Sequence, residues 1–387
     1  MRIEIVHEDA ELERLQNAWQ ELVSTSSLNH PFLQWHWCSA WWRHYGRGRK
    51  LAIVVARHDE RLMGIAPLFV ASAGRVRPVR SLRFLGTGEV CSEYLGLISR
   101  RGFEVEVTEA ILDFLYRQWE GWDELRFEAV PSEGPTADAL RTYWTLRRLW
   151  FAESPGPACW RAELPRGWDE FMTALGKKRR HELRRYSRRV EAHGGTFHEV
   201  RTEEELWSAW NELRRLHQLR WNGTGEVGCF SSPQFVAFHE ELLPVLFRRS
   251  ELIVNALKLG VQTIAANQSF YHAGVVYSYQ CGRDPSHADL APGQVLRLHE
   301  FHQAVERGDR SYDFLGGNER YKQDWSTRAC RTSNFFAPSS RWTRRAGFLV
   351  SAGLDRLKRF SRDRLPRTTW EKLQKVHKTL VGSRNDE

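Results

Sequence analysis

Hydrophobic positions along the 387-residue chain switch repeatedly between the two-residue period of strands and the 3.6-residue period of helices. Residues 2–7 read as a strand. A helix is predicted from about 11 to 23, with Leu12, Leu15, Trp19 and Leu22 on one face. An aromatic-dense segment, Pro31-Phe32-Leu33-Gln34-Trp35-His36-Trp37-Cys38-Ser39-Ala40-Trp41-Trp42, comes next. Residues 51–57 and 62–70 read as two strands joined by the turn His58-Asp59-Glu60-Arg61. A helix over 103–118 and a short strand over 124–130 lead to the punctuation Pro131-Ser132-Glu133-Gly134-Pro135. The order then starts again. A strand at 160–164, a helix dense in Lys and Arg, and a helix over 203–220 precede a strand pair at 252–259 and 263–271, turning at Gly260-Val261-Gln262. A strand at 275–281, a helix over 295–306 and strands at 311–315 and 334–337 complete the predicted elements.

The two strand pairs lie about 200 residues apart. Leu51-Ala52-Ile53-Val54 with Gly64-Ile65-Ala66 can be laid on Leu252-Ile253-Val254-Asn255 with Thr263-Ile264-Ala265. Each pair is followed by an amphipathic helix and a short strand, as an internal duplication would produce. The expected fold class is α+β, in two halves over 1–150 and 151–340 with mixed, mostly antiparallel sheets, and a basic helical tail over 341–387.

Composition narrows the functional classes. Apolar residues at 41% are enough for two cores, so wholesale disorder is excluded. No apolar run reaches the ~18 residues of a membrane span, and the first residues read as a strand rather than a signal peptide. The expected location is cytoplasmic. Six scattered cysteines without a C-x-x-C pair suggest neither a zinc site nor a disulfide framework. The net charge of +9 is unevenly spread: 177–189 carries +7 and 341–387 carries +8, which leaves −6 on the rest. Basicity in two patches points to a phosphate, an anionic surface or a nucleic acid at those places. In the tail, Val350, Leu354, Leu357 and Phe360 fall at helical spacing among Arg356, Lys358, Arg359 and Arg362. That helix would either rest on an anionic membrane surface, peripheral to the inner membrane, or pack back on the body.

Candidate chemistry concentrates between 279 and 325. Tyr279-Gln280-Cys281-Gly282-Arg283-Asp284 ends a strand, and Ala291-Pro292-Gly293-Gln294-Val295 opens a helix, whose first amides and dipole suit a pyrophosphate. Pro292, Gly293, Gln294 and Val295 are the expected cofactor contacts. Downstream, Tyr312-Asp313-Phe314-Leu315-Gly316-Gly317 runs into Asn318-Glu319-Arg320-Tyr321-Lys322, which mounts acidic, aromatic and cationic groups after a glycine pair. Group transfer to a nucleophile needs a base for that nucleophile and a donor for the developing negative charge. His299, Glu300, Asp313 and Glu319 are the candidate bases, with Asp313 and Glu319 preferred for their proximity to Lys322 and Tyr321. Arg180 and Arg184, spaced i,i+4 on the basic helix, face one direction and, with Arg283, Gly316 and Gly317, are the expected substrate contacts. No Ser-His-Asp order or nucleophile elbow occurs, which favours direct transfer over a covalent enzyme intermediate.

The run from the strand pair at 252 through Pro292-Gly293, Tyr312-Asp313-Phe314-Leu315-Gly316-Gly317 and Tyr321-Lys322 resembles GNAT-type acetyltransferases, including the CelD-like proteins of exopolysaccharide clusters. It is also similar to the FemAB-type aminoacyl transferases, which have two tandem GNAT folds. The likeness covers about 160–340. Over 1–150 it is looser, through Pro31-Phe32, the Trp cluster and Ser92-Glu93-Tyr94-Leu95. It implies two GNAT-like halves and transfer from acetyl-CoA or another acyl-CoA, without a metal, to an amine or hydroxyl, in this context of a saccharide. In the FemAB branch the donor is aminoacyl-tRNA, and a lysine matching Lys322 holds a phosphate or the oxyanion. The chain lacks the Gln/Arg-x-x-Gly-x-Gly/Ala loop of typical GNAT enzymes and has Leu290-Ala291-Pro292-Gly293-Gln294 in its place. Beyond tRNA in that branch no specific nucleic acid is expected, and a general nucleic-acid binder is the competing class.

Overall fold

A computed structural model describes residues 1–340 except 75–77, 224, 226 and 318, so the expected tail helix and its membrane contact lie outside the described residues. The first run of elements is β1 (Arg2–Val6), α1 (Asp9–Arg14), α2 (Gln16–Ser24), α3 (Trp35–Tyr45), β2 (Lys50–Leu51), β3 (Ile53–His58), β4 (Arg61–Ala66), β5 (Leu68–Ala73), β6 (Val79–Phe84), β7 (Ile98–Ser99), α4 (Glu104–Arg117), β8 (Glu124–Pro131), α5 (Pro135–Leu146) and β9 (Ala152–Glu163). Two helices, α6 (Trp168–Ala174) and α7 (Lys177–Ala192), intervene. The second run is β10 (Gly195–Glu199), α8 (Glu203–Asn222), α9 (Pro233–Arg248), β11 (Leu252–Leu259), β12 (Gln262–His272), β13 (Val275–Arg283), α10 (Pro292–Glu306), β14 (Ser311–Gly316), α11 (Arg320–Trp325) and β15 (Arg328–Pro338). Apart from the short β2 and β7, and with β4 and β5 taken as one interrupted strand, both runs read strand, helices, three strands, helix, strand, helix, strand.

One eleven-stranded sheet, in the order β10-β11-β12-β13-β14-β9-β15-β8-β6-β5-β2, passes through both halves. A four-stranded sheet, β1-β3-β4-β7, closes the N-terminal side. Pairing is antiparallel except between β13 and β14 and between β6 and β8, the matching positions of the two runs. The final strands are exchanged. β9 pairs with β14 of the second run, β15 pairs with β8 of the first, and β9 and β15 pair with each other at the centre.

The structure corrects several predicted elements. The strand expected over 62–70 is interrupted at Pro67, which has no N–H for a ladder, and β4 and β5 join different sheets. The strand expected at 160–164 is the end of the longer β9, and that at 334–337 lies within β15. β6 and β10 were hidden by their half-exposed, charged sequences, and α9 by an internal Pro244. Local signals did locate α8, whose N-cap Thr202 and Glu205 form a reciprocal capping box.

The aromatic-dense segment is the seam between the halves. Trp37, on α3, packs edge-on against Phe238 of α9 at 5.0 Å and Phe270 of β12 at 5.3 Å. Its indole N–H donates to Ser92 Oγ at 2.9 Å. Such pairs bury large apolar area and are common where two elements are fixed to each other. Trp37→Ala should cost about 3–5 kcal/mol of unfolding free energy in denaturant titrations, as expected for emptying a buried aromatic site. A loss under about 1 kcal/mol would contradict this placement of the seam.

Candidate active site

Residues 85–97, between β6 and α4, reach across the seam because several side chains hold them there. Besides the Trp37–Ser92 bond, Tyr279 Oη donates to the Val90 carbonyl at 2.8 Å and Tyr45 Oη to Glu89 Oε2 at 2.9 Å. This segment carries Glu93 against the end of β14. Glu93 is buried, and its Oε2 has no hydrogen-bond partner. Burial pushes its carboxyl up to about 7, while contact with Cys159 pulls the other way. A Cβ on Gly316 would collide with Glu93 Oε1, so glycine there permits the approach.

β14 ends irregularly. Its register with β9 shifts between Asp313 and Gly316, Leu315 takes a left-handed φ of 58°, and Gly317 turns the chain at φ 141°. The Leu315 N–H donates to Asp313 Oδ1 at 2.8 Å, which supports the strained residue. Lys322, on α11, is 8% exposed and donates from Nζ to the Gly316 carbonyl at 2.5 Å, with Glu319 Oε2 at 3.4 Å. A Cβ on Gly317 would stand 2.6 Å from that Nζ. The structure thus gathers Glu93, Gly316, Gly317, Glu319 and Lys322 around one turn.

Asp313 belongs to a neighbouring, closed network. It is fully buried, and its Oδ2 accepts from Tyr94 Oη at 2.8 Å and from Arg161 Nη2 and Nε at 2.7 and 2.9 Å. With Oδ1 held by Leu315, the carboxylate has little freedom to take a proton from a substrate, and its geometry suits bracing. Of the two preferred candidate bases, Glu319 stands at the glycine turn beside Lys322 and Asp313 lies in this adjoining network, while Glu93, which was not among the candidate bases, reaches the same turn. No periodicity marks Glu93, because its burial arises from the packing of one half on the other.

The cofactor contacts form a second group. α10 starts from Ala291, itself left-handed at φ 50°, with no side-chain cap. Fewer amides face outward there than the sequence suggested: those of Ala291, Gln294 and Val295 are given to the carbonyls of Ala288 and Ala291. The Val295 side chain is core, and Gln294 Oε1 accepts from Arg179 at 2.5 Å and Trp325 at 3.1 Å. Pro292 is buried and fixes the first turn. Gly293 stays open, with only the Arg283 Cδ near at 3.8 Å from its would-be Cβ, so Arg283 and the Gly293 amide share one surface. Beside α10, helix α7 lines a groove of about 670 Å³ with Lys177, Arg180, Arg184 and Arg188. Arg180 also donates to the Met172 carbonyl at 2.9 Å.

Of the remaining helix candidates, Glu300 is internal and His299 is half-buried at a groove. Glu300 is buried and accepts from Asn267 at 2.8 Å and Tyr312 at 2.9 Å. His299 stacks on Phe197 at 4.0 Å. β13 and β14 pair only over Val275–Tyr277 and Ser311–Asp313. Near that pairing Arg297, which the sequence did not single out, donates to Ser278 at 3.0 Å and Tyr312 at 3.2 Å. Its guanidinium lies 5.3 Å from the Tyr321 ring centre and 5.1 Å from that of Phe314. Tyr321 is thus a wall of that cation's box, and its hydroxyl is pushed up chiefly by burial. Among the described residues no cluster of three or more His, Cys, Asp or Glu could hold a metal ion, and no helix is long and apolar enough to cross a membrane.

Comparison with known proteins identifies one segment and the fold. Residues 177–323, from α7 to α11, match the family described as "Acetyltransferase (GNAT) domain". No curated protein sequence matches. Among solved structures, FemX aligns at 10% identity with a TM-score of 0.61, over 87% of this chain and 97% of its own. A conserved protein of unknown function from Bacteroides thetaiotaomicron aligns at 12% identity and TM-score 0.51, over 87% of this chain and all of its own. The sequence match locates the acyltransferase domain, and the FemX likeness extends the fold across both halves. Residues 177–323 thus carry an acyltransferase domain of the GNAT type, and the chain as a whole has a FemX-like fold in which one order of elements runs twice.

Proposed function

We propose that the chain moves an acyl group from a CoA thioester to an amine or hydroxyl of a saccharide, at the turn shared by Glu93, Gly316–Gly317 and Lys322. The observation that carries this reading is the Glu93 carboxyl, buried, with one oxygen unpartnered and a pKa pushed up by burial to about 7, beside a lysine-bearing glycine turn. A base poised near neutral pH is what a protonated or hydroxyl nucleophile requires. The acceptor nitrogen or oxygen attacks the thioester carbon and gives its proton to Glu93. The Lys322 ammonium supports the resulting oxyanion. The C–S bond then breaks, and CoA leaves as the thiol after taking up a proton. Arg283 and the Gly293 amide would hold the donor's phosphates.

The donor is tested by thermal shift. CoA thioesters should raise the melting midpoint, since a ligand that binds the folded state alone stabilises it by mass action. Gly293→Val should abolish the shift and leave the unliganded midpoint in place. No shift with any CoA thioester or free CoA would overturn the CoA donor. One observation favours a second donor: Lys177, Arg180, Arg184 and Arg188 line a single groove along α7, a row of cations that suits a polyanionic backbone. Tight binding of tRNA at physiological salt, with no binding of generic DNA or RNA, would favour aminoacyl-tRNA as the donor in its place.

A further inference from the structure

A separate hollow of about 360 Å³ opens between the halves, lined by neither Glu93, Gly316, Gly317 nor Lys322. Its walls come from 27–30, from the turn between β8 and α5, and from the start of β15. Four guanidinium groups border it: Arg161, Arg310, Arg328 and Arg331. Arg161 is paired with Asp313 at 2.7 Å and Arg328 with Glu163 at 2.9 Å. Among the described residues no carboxylate pairs with Arg310 or Arg331, although Glu133 is also part of the wall. Helix α5 starts here from Gly134 with no side-chain cap, and its first-turn residues Thr136 and Ala137 line the hollow. Amides of a first turn have no partner within the helix and favour negative charge.

A second observation points to a ligand. His30 lines the same hollow and is 5% exposed. Its Nε2 meets the Tyr94 carbonyl at 2.9 Å, which makes Nε2 the donor, and Nδ1 has no partner. Burial presses the imidazole pKa down to about 3, so Nδ1 stands as a bare acceptor at neutral pH. A buried acceptor left without a donor costs about 1–3 kcal/mol, a cost that a ligand hydroxyl in the hollow would relieve.

We propose that this hollow binds a small hydroxylated anion, of the size of a monosaccharide carboxylate or phosphate. Arg331, Arg310 and the first amides of α5 take the anionic oxygens, and His30 Nδ1 accepts from a hydroxyl. The volume falls in the range of small-molecule sites. The site is independent of the acyl-transfer reading, because it is probed without any acyl donor.

The test is calorimetric titration of the full chain with glucuronate, glucose 6-phosphate, glucose and inorganic phosphate. The expected result is saturable one-to-one binding of at least one of the two anionic sugars, with glucose at least ~tenfold weaker. The stronger of the two identifies the anion as carboxylate or phosphate. Arg331→Glu, an exposed substitution, should weaken that binding ~tenfold or more while its melting curve stays unchanged. His30→Phe should weaken the sugar anion and glucose alike, because both present the hydroxyl that Nδ1 accepts, and leave any affinity for inorganic phosphate alone. Absence of saturable binding by both anionic sugars, equal affinity for glucose, or undiminished affinity in Arg331→Glu would each overturn the proposal, as would binding of inorganic phosphate alone.

Discussion

Glu93→Gln should lower kcat/KM by about 10²–10⁴, the usual contribution of a positioned general base. Glutamine keeps the shape and cannot take the proton, so the substitution separates chemistry from packing. The wild-type rate should rise with pH through about 7, as the buried carboxyl loses its proton, and level off above. The variant should lack that limb. Stability follows the same linkage with the opposite sense. The folded state binds this proton more tightly than the unfolded chain, whose carboxyl titrates near 4.5. The stability this contributes is therefore complete below that value and fades as pH rises through about 7. Glu93→Gln should flatten that part of the stability profile. Unchanged kcat/KM together with an unchanged pH profile would remove Glu93 from the chemistry.

Lys322→Ala is the second large effect. The ammonium is almost enclosed, and it bridges the Gly316 carbonyl and Glu319 at the turn where the thioester carbonyl would sit. Removing one preorganised donor to an oxyanion costs about 10²–10³ in rate. A surface lysine of no consequence would change stability by less than ~0.5 kcal/mol and leave turnover intact. Lys322→Arg should recover little, because a planar fork replaces a compact charge in a space that already constrains Gly317. Turnover and a melting curve for each variant decide the matter. Full activity of a folded Lys322→Ala would place the oxyanion elsewhere.

Legibility in the sequence followed the range of the forces involved. The β11–β12 hairpin was readable from Gly260 and alternating apolar residues, and α10 from its Pro-Gly opening. The glycine pair and Lys322 were readable because they are adjacent in the chain and the turn that joins them is local. The fold class and the repeated order of elements followed from the same periodicities. What the sequence hid depends on contacts between distant segments. Glu93 comes to Gly316 only after Trp37 and Tyr279 pin its loop across the seam. Asp313 reads from the sequence as a candidate base, whereas Arg161 and Tyr94, 152 and 219 residues away, close around it in the fold. The basic stretch of α7 looked uniform, yet Arg179 and Arg189 are spent on Gln294 and Asp289, whereas Arg184 faces the groove.

The most direct test of acyl transfer at the glycine turn is a product assay on the full chain. A panel of acyl-CoAs is mixed with amino and hydroxyl saccharides, thiol release is followed, and the acceptor is weighed by mass spectrometry. Thiol release should match the acceptor's gain of one acyl group in amount, and Glu93→Gln and Lys322→Ala should each suppress both signals ~10²-fold or more. Stoichiometric acyl transfer that persists at the wild-type rate in a folded double variant would contradict the account.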